Sequence, residues 1–300
     1  MKQTAVNQNS LTFEKRCVPY LSWVDPASDD LPSRHEWESS RVMRPAVQEK
    51  RISASPAKMQ ASCLNSLRMS YSVSPIGFVR SCFKEKFAIP RQPQLAPAAR
   101  GVLELVSPFD QPQAIEGLEK VSHVWLLFLF HQTLEAEPRL RVRPPRLGGN
   151  RMLGVFATRA THRPNGIGQS VVKLDGIEPG RLHLSGIDLL DGTPVLDIKP
   201  YVPYADAIAD ARNELASDAP ALVDVRWTES SLAQAHVEGL RLDEPLSALI
   251  EQCLAQDPRP AYQTPTAKRR YGTRLWDVEV RWHYPEPHAI CVLEVLRTPD

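Results

Sequence analysis

The chain has 300 residues, of which 42% are hydrophobic, enough for one large domain or two modest ones. Its formal charge is only +1, so no global field draws it to a polyanion, and an RNA site has to be a local cluster of Arg and Lys. The five cysteines (Cys17, Cys63, Cys82, Cys253, Cys291) are scattered without a C-x-x-C pair, which argues against a zinc site or a disulfide framework and fits a reducing cytoplasm. No window approaches the roughly 18 apolar residues of a membrane span, and the first thirty residues, with Glu14, Lys15, Arg16, Asp25, Asp29 and Asp30, lack an apolar signal core. The expectation is a cytoplasmic protein that needs neither membrane nor metal.

Residues 1–68 show neither a 3.6 nor a 2.0 period and are polar, mixed in charge and interspersed with Pro and Ser. They are expected to form a poorly ordered extension, with Met69 as a candidate for the biological start. Short strands follow. Val102–Val106 is one, and Val124–Phe130 is an apolar run of the length of a strand buried on both sides. Val172–Asp175, Leu182–Ser185 and Val195–Ile198 alternate apolar with polar, with turn signals at Glu178-Pro-Gly180 and Asp191-Gly192 between them. This spacing predicts a mainly β, antiparallel barrel-like domain over 73–211 rather than a parallel sheet wound with helices. A small α+β domain is predicted over 212–300. Leu246, Leu249, Ile250, Cys253 and Leu254 form one helical stripe, which Asp243 is placed to cap and Asp257-Pro258 to end. Trp276, Val278, Val280 and Trp282 are expected to share one face of a strand, with Ala289–Leu296 as its partner.

The usual nucleotide-binding devices are missing. Gly166-Ile-Gly168 lacks a third glycine and follows Pro164 rather than a strand, so it is no dinucleotide fingerprint. Gly168-Gln-Ser170 fails the nucleophile elbow, and the eight histidines show no metal-ligand spacing. Four polar segments nevertheless interrupt the strand pattern: 84–93 (KEKFAIPRQP), His131-Gln132, 143–165, and 188–200. Each has a plain structural reading beside a functional one. Pro90-Arg91-Gln92 serves equally as a rigid turn, Asp188–Thr193 as a hairpin turn, Asp257-Pro258 as a helix stop, and Trp276 and Trp282 as core.

Taken together, KEKFAIPRQP (84–93), FLFHQT (128–133), RPPRLGGN (143–150), GVFATRATHRPNGIG (154–168), DLLDGTPVLDIKPY (188–201) and AQDPRPAY (255–262) resemble the tRNA adenosine-37 N6-methyltransferase family, also called TsaA-like or TrmO-like. The likeness runs from about Val73 to Trp282 and departs mildly at Gly166, where the family pattern has proline. It implies a barrel that binds S-adenosylmethionine without a Rossmann fold, a homodimer, and methylation of the N6 amine of threonylcarbamoyl-adenosine beside the tRNA anticodon. It also implies cofactor contacts from Pro90, Arg91, Gln92, His131, Gln132, Arg159 and the loop Asp188, Leu189, Leu190, Asp191 and Gly192.

The residue types suit that ligand. Arg91 or Arg159 can grip a carboxylate with a bidentate fork, and Asp188 or Asp191 can meet an ammonium or ribose hydroxyls. Gly192 lets backbone approach closely. His131 and Asp257 are the candidate proton acceptors. Arg139, Arg141, Arg143, Arg146, Arg151 and Arg163 crowd a proline-stiffened region, and with Arg259 and Tyr262 they are candidates for RNA contact; Lys268, Arg269 and Arg270 form a second basic knot. A non-catalytic tRNA-binding module and a hydrolase of a small nucleotide-like substrate are the rival readings.

Overall fold

The computed structural model describes residues 72–135, 137, 139–143, 152–259 and 263–298. The expectations for 1–68, including the start at Met69, lie outside these residues. Pro75–Asp300 is one compact unit.

Six antiparallel strands close a barrel: β1 (Gly77–Ser81), β2 (Arg100–Leu105), β3 (His123–Leu129), β6 (Ile167–Glu178), β7 (Arg181–Ser185) and β8 (Pro194–Pro200). Their order around the wall is β1-β2-β7-β6-β3-β8, with β8 returning to β1 through Gly77↔Val195. Two two-residue strands, β4 (Arg141–Val142) and β5 (Leu153–Gly154), pair as a separate ribbon. The expected barrel class is therefore found. Period-2 alternation drives the closure, because inward residues such as Val79, Leu103, Leu126, Val172, Leu182 and Val195 are fully buried.

One expectation needs correction. The run Val124–Phe130 is not buried on both sides: Val124, Leu126 and Phe128 face the core, while Trp125 and Leu127 are half-exposed on the outside. The outer Trp125 is held by chain that follows β8. Trp125 donates its indole N–H to Asp206 Oδ2 at 2.9 Å and lies 6.0 Å from the Tyr201 ring. Asp206 ends the short helix α2 (Pro203–Asp206), the counterpart of α1 (Pro112–Ile115) earlier in the chain.

After the barrel comes a four-stranded sheet in the order β10-β11-β12-β9, comprising β9 (Asp224–Trp227), β10 (Arg270–Leu275), β11 (Val278–Glu286) and β12 (Ala289–Arg297). Helices α3 (Glu229–Leu242) and α4 (Leu246–Ala255) pack with it. Helix α4 and the β11–β12 pair match the sequence expectations, with two corrections. Asp243 does not cap α4, whose N-cap is Pro245; it ends α3 instead, in the left-handed conformation at φ 56°. Trp276 is not on the strand face but in the β10–β11 turn at φ 51°, and Tyr284 takes the fourth buried position beside Val278, Val280 and Trp282.

Barrel and sheet share one continuous core. Residues 82–87 join them: Phe83 bridges to Leu275, Cys82 O accepts from Trp276 N at 2.7 Å, and the Phe87 ring stacks on Trp282 at 5.9 Å.

Candidate cofactor site

The segments that the sequence singled out meet at one end of the barrel. The loop 84–92 leaves β1, turns through Ala88 at φ 64°, and delivers buried Pro90. A left-handed alanine costs roughly 1–2 kcal/mol, and the contacts on either side of it hold the turn. On one side, Thr273 Oγ1 donates to Phe87 O at 3.1 Å. On the other, the Arg91 N–H reaches Gln256 Oε1 at 3.3 Å, just beyond α4. Gln256, 4% exposed, also donates to Leu95 O, and Gln252 Oε1 accepts from Ala98 N at 2.8 Å. Two glutamines of the C-terminal domain thus fix the backbone of the Pro90–Ala98 loop.

Gln92 accepts a hydrogen bond from the exposed guanidinium of Arg159. That guanidinium acts electrostatically on Asp188, and Ser170 Oγ donates to Asp188 Oδ1 at 2.7 Å. Gln92, Arg159, Asp188 and Ser170 therefore form a row drawn from four segments. Burial raises the Asp188 carboxyl to about 6, against the opposing pull of Ser170, its own backbone N–H and Arg159.

The 188–192 loop crosses the barrel mouth. Leu189 and Leu190 bury their side chains in the core, so any contact they make with a ligand is through backbone. Asp191 is committed internally: Oδ1 accepts from Ser81 N and Oδ2 pairs with Lys84, both at 2.9 Å. Lys84 also lies 5.5 Å from the Trp276 ring centroid. Gly192, at φ 75°, has open space where a Cβ would stand, leaving backbone accessible. Lys86 Nζ donates to Gln132 O at 2.8 Å, which brings His131-Gln132 to the same loop. Burial, with Lys86 nearby, holds the His131 imidazole below its ordinary pKa, so at pH 7 it is neutral and able to accept a proton.

Asp257 and Arg259 follow Gln256 along the chain and pair with each other and with Tyr284. Asp257 adopts φ 50°; its Oδ1 accepts from Tyr284 OH at 2.8 Å and from Arg259 Nε at 3.0 Å. The Arg259 guanidinium also lies 5.0 Å from the Tyr284 ring centroid. The carboxylate pushes the buried Tyr284 phenol further above its ordinary pKa. Both residues are thus held by the fold, whatever else they touch.

Several arginines of the candidate RNA cluster are tied down locally, and Glu135 pairs with both Arg139 and His162. Arg163 Nη1 donates to Thr158 O at 2.5 Å, Arg139 Nε to Glu135 Oε2 at 2.6 Å, and Arg141 Nη2 to Met152 O at 3.0 Å. Arg143 is exposed. Arg146, Arg151 and Tyr262 lie outside the described residues. In the second knot, Arg269 rests 5.1 Å from the Tyr271 ring centroid. Residues that sequence reasoning passed over include Ser170, Lys84, Gln252 and Gln256. Ser170 had a signal: it is a hydroxyl at an inward position of a strand, between Gly168 and Val172.

The site suits S-adenosylmethionine on structural grounds. A largely buried carboxylate with a raised pKa and one side-chain donor complements an ammonium or hydroxyl, a nearby guanidinium complements a carboxylate, and open backbone at Gly192 suits a flat base. Among the described residues, no helix is long and apolar enough to cross a membrane, and no group of three His, Cys, Asp or Glu is arranged to hold a metal.

Comparison with known proteins agrees with this picture. Residues 78–207 match the tRNA-methyltransferase O N-terminal domain and residues 220–298 the TrmO C-terminal domain. The chain is 74% identical over 227 residues to a Pseudomonas aeruginosa protein described as a putative S-adenosylmethionine-dependent methyltransferase RcsF, covering 76% of this chain and 98% of that one. It is 47% identical over 221 residues to the Escherichia coli (strain K12) tRNA (adenine(37)-N6)-methyltransferase, covering 71% and 93%. A crystal structure of TrmO from Pseudomonas aeruginosa superposes with a TM-score of 0.66 at 65% identity, covering 76% of this chain and all of that one. The chain belongs to the tRNA-methyltransferase O family.

Proposed function

We propose that this protein transfers a methyl group from S-adenosylmethionine to the N6 amine of adenosine 37 in tRNA, with threonylcarbamoyl-adenosine as the modified base it acts on. The observation that carries the reading is the cross-linking, at one barrel mouth, of segments 84–92, 131–132, 159 and 188–192, which lie far apart in sequence.

The cofactor supplies an activated methyl on a sulfonium, so the protein's task is alignment. Arg159, with Gln92 beneath it, is assigned to the carboxylate. Asp188 is assigned to the ammonium or the ribose, and the backbone of Leu189–Gly192 to the base. Pro90, Arg91 and Gln132 complete the walls. Holding an amine nitrogen in line with the methyl is worth roughly 7–11 kcal/mol. His131 is the better proton acceptor of the two candidates. Its ring is neutral at pH 7, whereas protonating Asp257 would disturb its bonds to Arg259 and Tyr284. Arg143, Arg146, Arg151, Arg163, Arg259 and Tyr262 are the residues assigned to RNA, with the chemistry on the domain over 73–211 and a supporting role for 212–300.

The active unit in this reading is a cytoplasmic homodimer; sedimentation giving only a monomer counts against it. Calorimetry with S-adenosylmethionine separates the main reading from its rivals. A non-catalytic RNA module or a hydrolase shows no cofactor heat. The methyltransferase binds, and it loses about ten- to a hundredfold in affinity on Arg159→Ala, the ordinary effect of removing a charge-assisted hydrogen bond of about 1.5–3 kcal/mol. Wild-type affinity in that variant contradicts the assignment.

A further inference from the structure

Ser170 sits where a barrel needs an apolar side chain. It points inward from β6 and is 4% exposed, between buried Gly168 and Val172 on its own strand and opposite fully buried Leu126 on β3. Alanine or valine would satisfy core packing at such a position, and a hydroxyl there is unfavourable unless it is hydrogen-bonded. Its hydrogen bond is to Asp188 Oδ1 at 2.7 Å, a distance typical of a hydroxyl donating to an ionised carboxylate.

We propose that Ser170 is a positioning residue of the cofactor site, whose hydroxyl keeps Asp188 ionised and turned toward Arg159, so that carboxylate, guanidinium and the Gln92 amide stand ordered before a ligand arrives. This deepens the reading given above and rests on its placing of the cofactor against Asp188 and Arg159.

The groups facing Asp188 are few. Ser170 reaches it from β6, Arg159 acts on it from the segment after β5, and its own backbone N–H adds a third favourable contact. Burial opposes all three and holds the carboxyl at about 6. Removing the hydroxyl leaves burial with two opponents instead of three, so the carboxyl titrates at a higher pH. A protonated Asp188 then offers Arg159 and a cationic ligand group no charge, and the row loses its order at a higher pH than in the wild type, as the solution becomes mildly acidic.

The test follows the Asp188 carboxyl signal by NMR in the ligand-free full chain and, in parallel, S-adenosylmethionine affinity by calorimetry across the pH range. The wild-type carboxyl titrates near 6, and affinity rises with pH through the same region. In Ser170→Ala the titration moves up by about half a unit to one unit, so affinity falls about three- to tenfold near pH 5, below both midpoints, and less than about twofold at pH 7. The deficit closes in alkaline solution. Ser170→Thr, which retains the hydroxyl, restores the wild-type midpoint, and Asp188→Asn shows no such titration. If Ser170→Ala fails to fold, Ser170→Cys, of similar shape with a weaker donor, is expected to shift in the same direction.

An unchanged Asp188 titration, or an affinity deficit equal at every pH, overturns the proposal, since that is how a simple packing defect behaves. A wild-type protein whose carboxyl shifts as expected on substitution but which binds no S-adenosylmethionine supports the hold on Asp188 while removing the cofactor reading.

Discussion

Asp188 shows how the site and the stability of the fold pull in opposite directions. Its carboxyl titrates at about 6 in the folded chain, against roughly 3.9 when unfolded, so the fold binds the proton more tightly than the unfolded chain does. The ionised form therefore weighs against folding. That penalty is fully present above about pH 6 and absent below about pH 4. Asp188→Asn removes it, and urea unfolding should show a gain on the order of 2–3 kcal/mol at pH 7.5 that shrinks toward zero near pH 4. No gain at the higher pH means the carboxylate is better compensated than its surroundings indicate. His131 yields a kinetic prediction at the same scale. If its neutral ring takes the proton from the amine, His131→Ala lowers kcat about 10²- to 10⁴-fold and abolishes the acid limb of the pH–rate profile. A variant that keeps both is not missing its base.

Among the elements, the contact between α4 and the 90–98 loop matters most for function. Gln256 connects the Arg91 N–H with the Leu95 and Gln252 carbonyls, and it is nearly inaccessible to water. Gln256→Ala leaves buried groups without that partner at about 1–3 kcal/mol, so amides 91–98 should exchange faster and cofactor affinity should fall. Hydrogen exchange unchanged across that loop would show that the barrel alone holds it.

Legibility differed sharply between elements. Helix α4 was readable because its buried face is leucine, isoleucine and cysteine at helical spacing. Helix α3 was not, because its buried stripe is Ser231, Ala235 and Gly239, small residues that permit close packing but leave no apolar period. A Cβ on Gly239 would come within 3.0 Å of Glu244 O, which explains the glycine. Trp276 fitted a strand alternation and proved to be a turn residue, since its φ of 51° is backbone geometry that side-chain pattern does not reveal.

At the scale of the whole molecule, the proposed site places a nucleoside-bearing cofactor at a barrel mouth rather than on a Gly-rich strand-to-helix turn. Gly166 closes a short 3-10 turn and Gly168 lies within strand β6, so neither opens a helix. The polar motifs were visible in sequence as interruptions of the strand pattern. Their convergence was not, because contacts such as Gln92 with Arg159 or Lys84 with Asp191 join positions 67 and 107 residues apart, a separation that only the closed topology bridges. The near-zero net charge has a consequence for tRNA as well. Affinity has to come from a few local cations, so Arg143→Ala should weaken tRNA binding and reduce the salt dependence of log K by about one unit or slightly less, without altering cofactor affinity. An unchanged salt slope removes Arg143 from the interface.

The central claim is tested most directly by mass spectrometry of nucleosides from tRNA incubated with the purified protein and S-adenosylmethionine. The account predicts one added methyl group on threonylcarbamoyl-adenosine at position 37, formed about ten- to a hundredfold more slowly in Arg159→Ala at limiting S-adenosylmethionine. Full cofactor binding with no methyl gained on that nucleoside would contradict it.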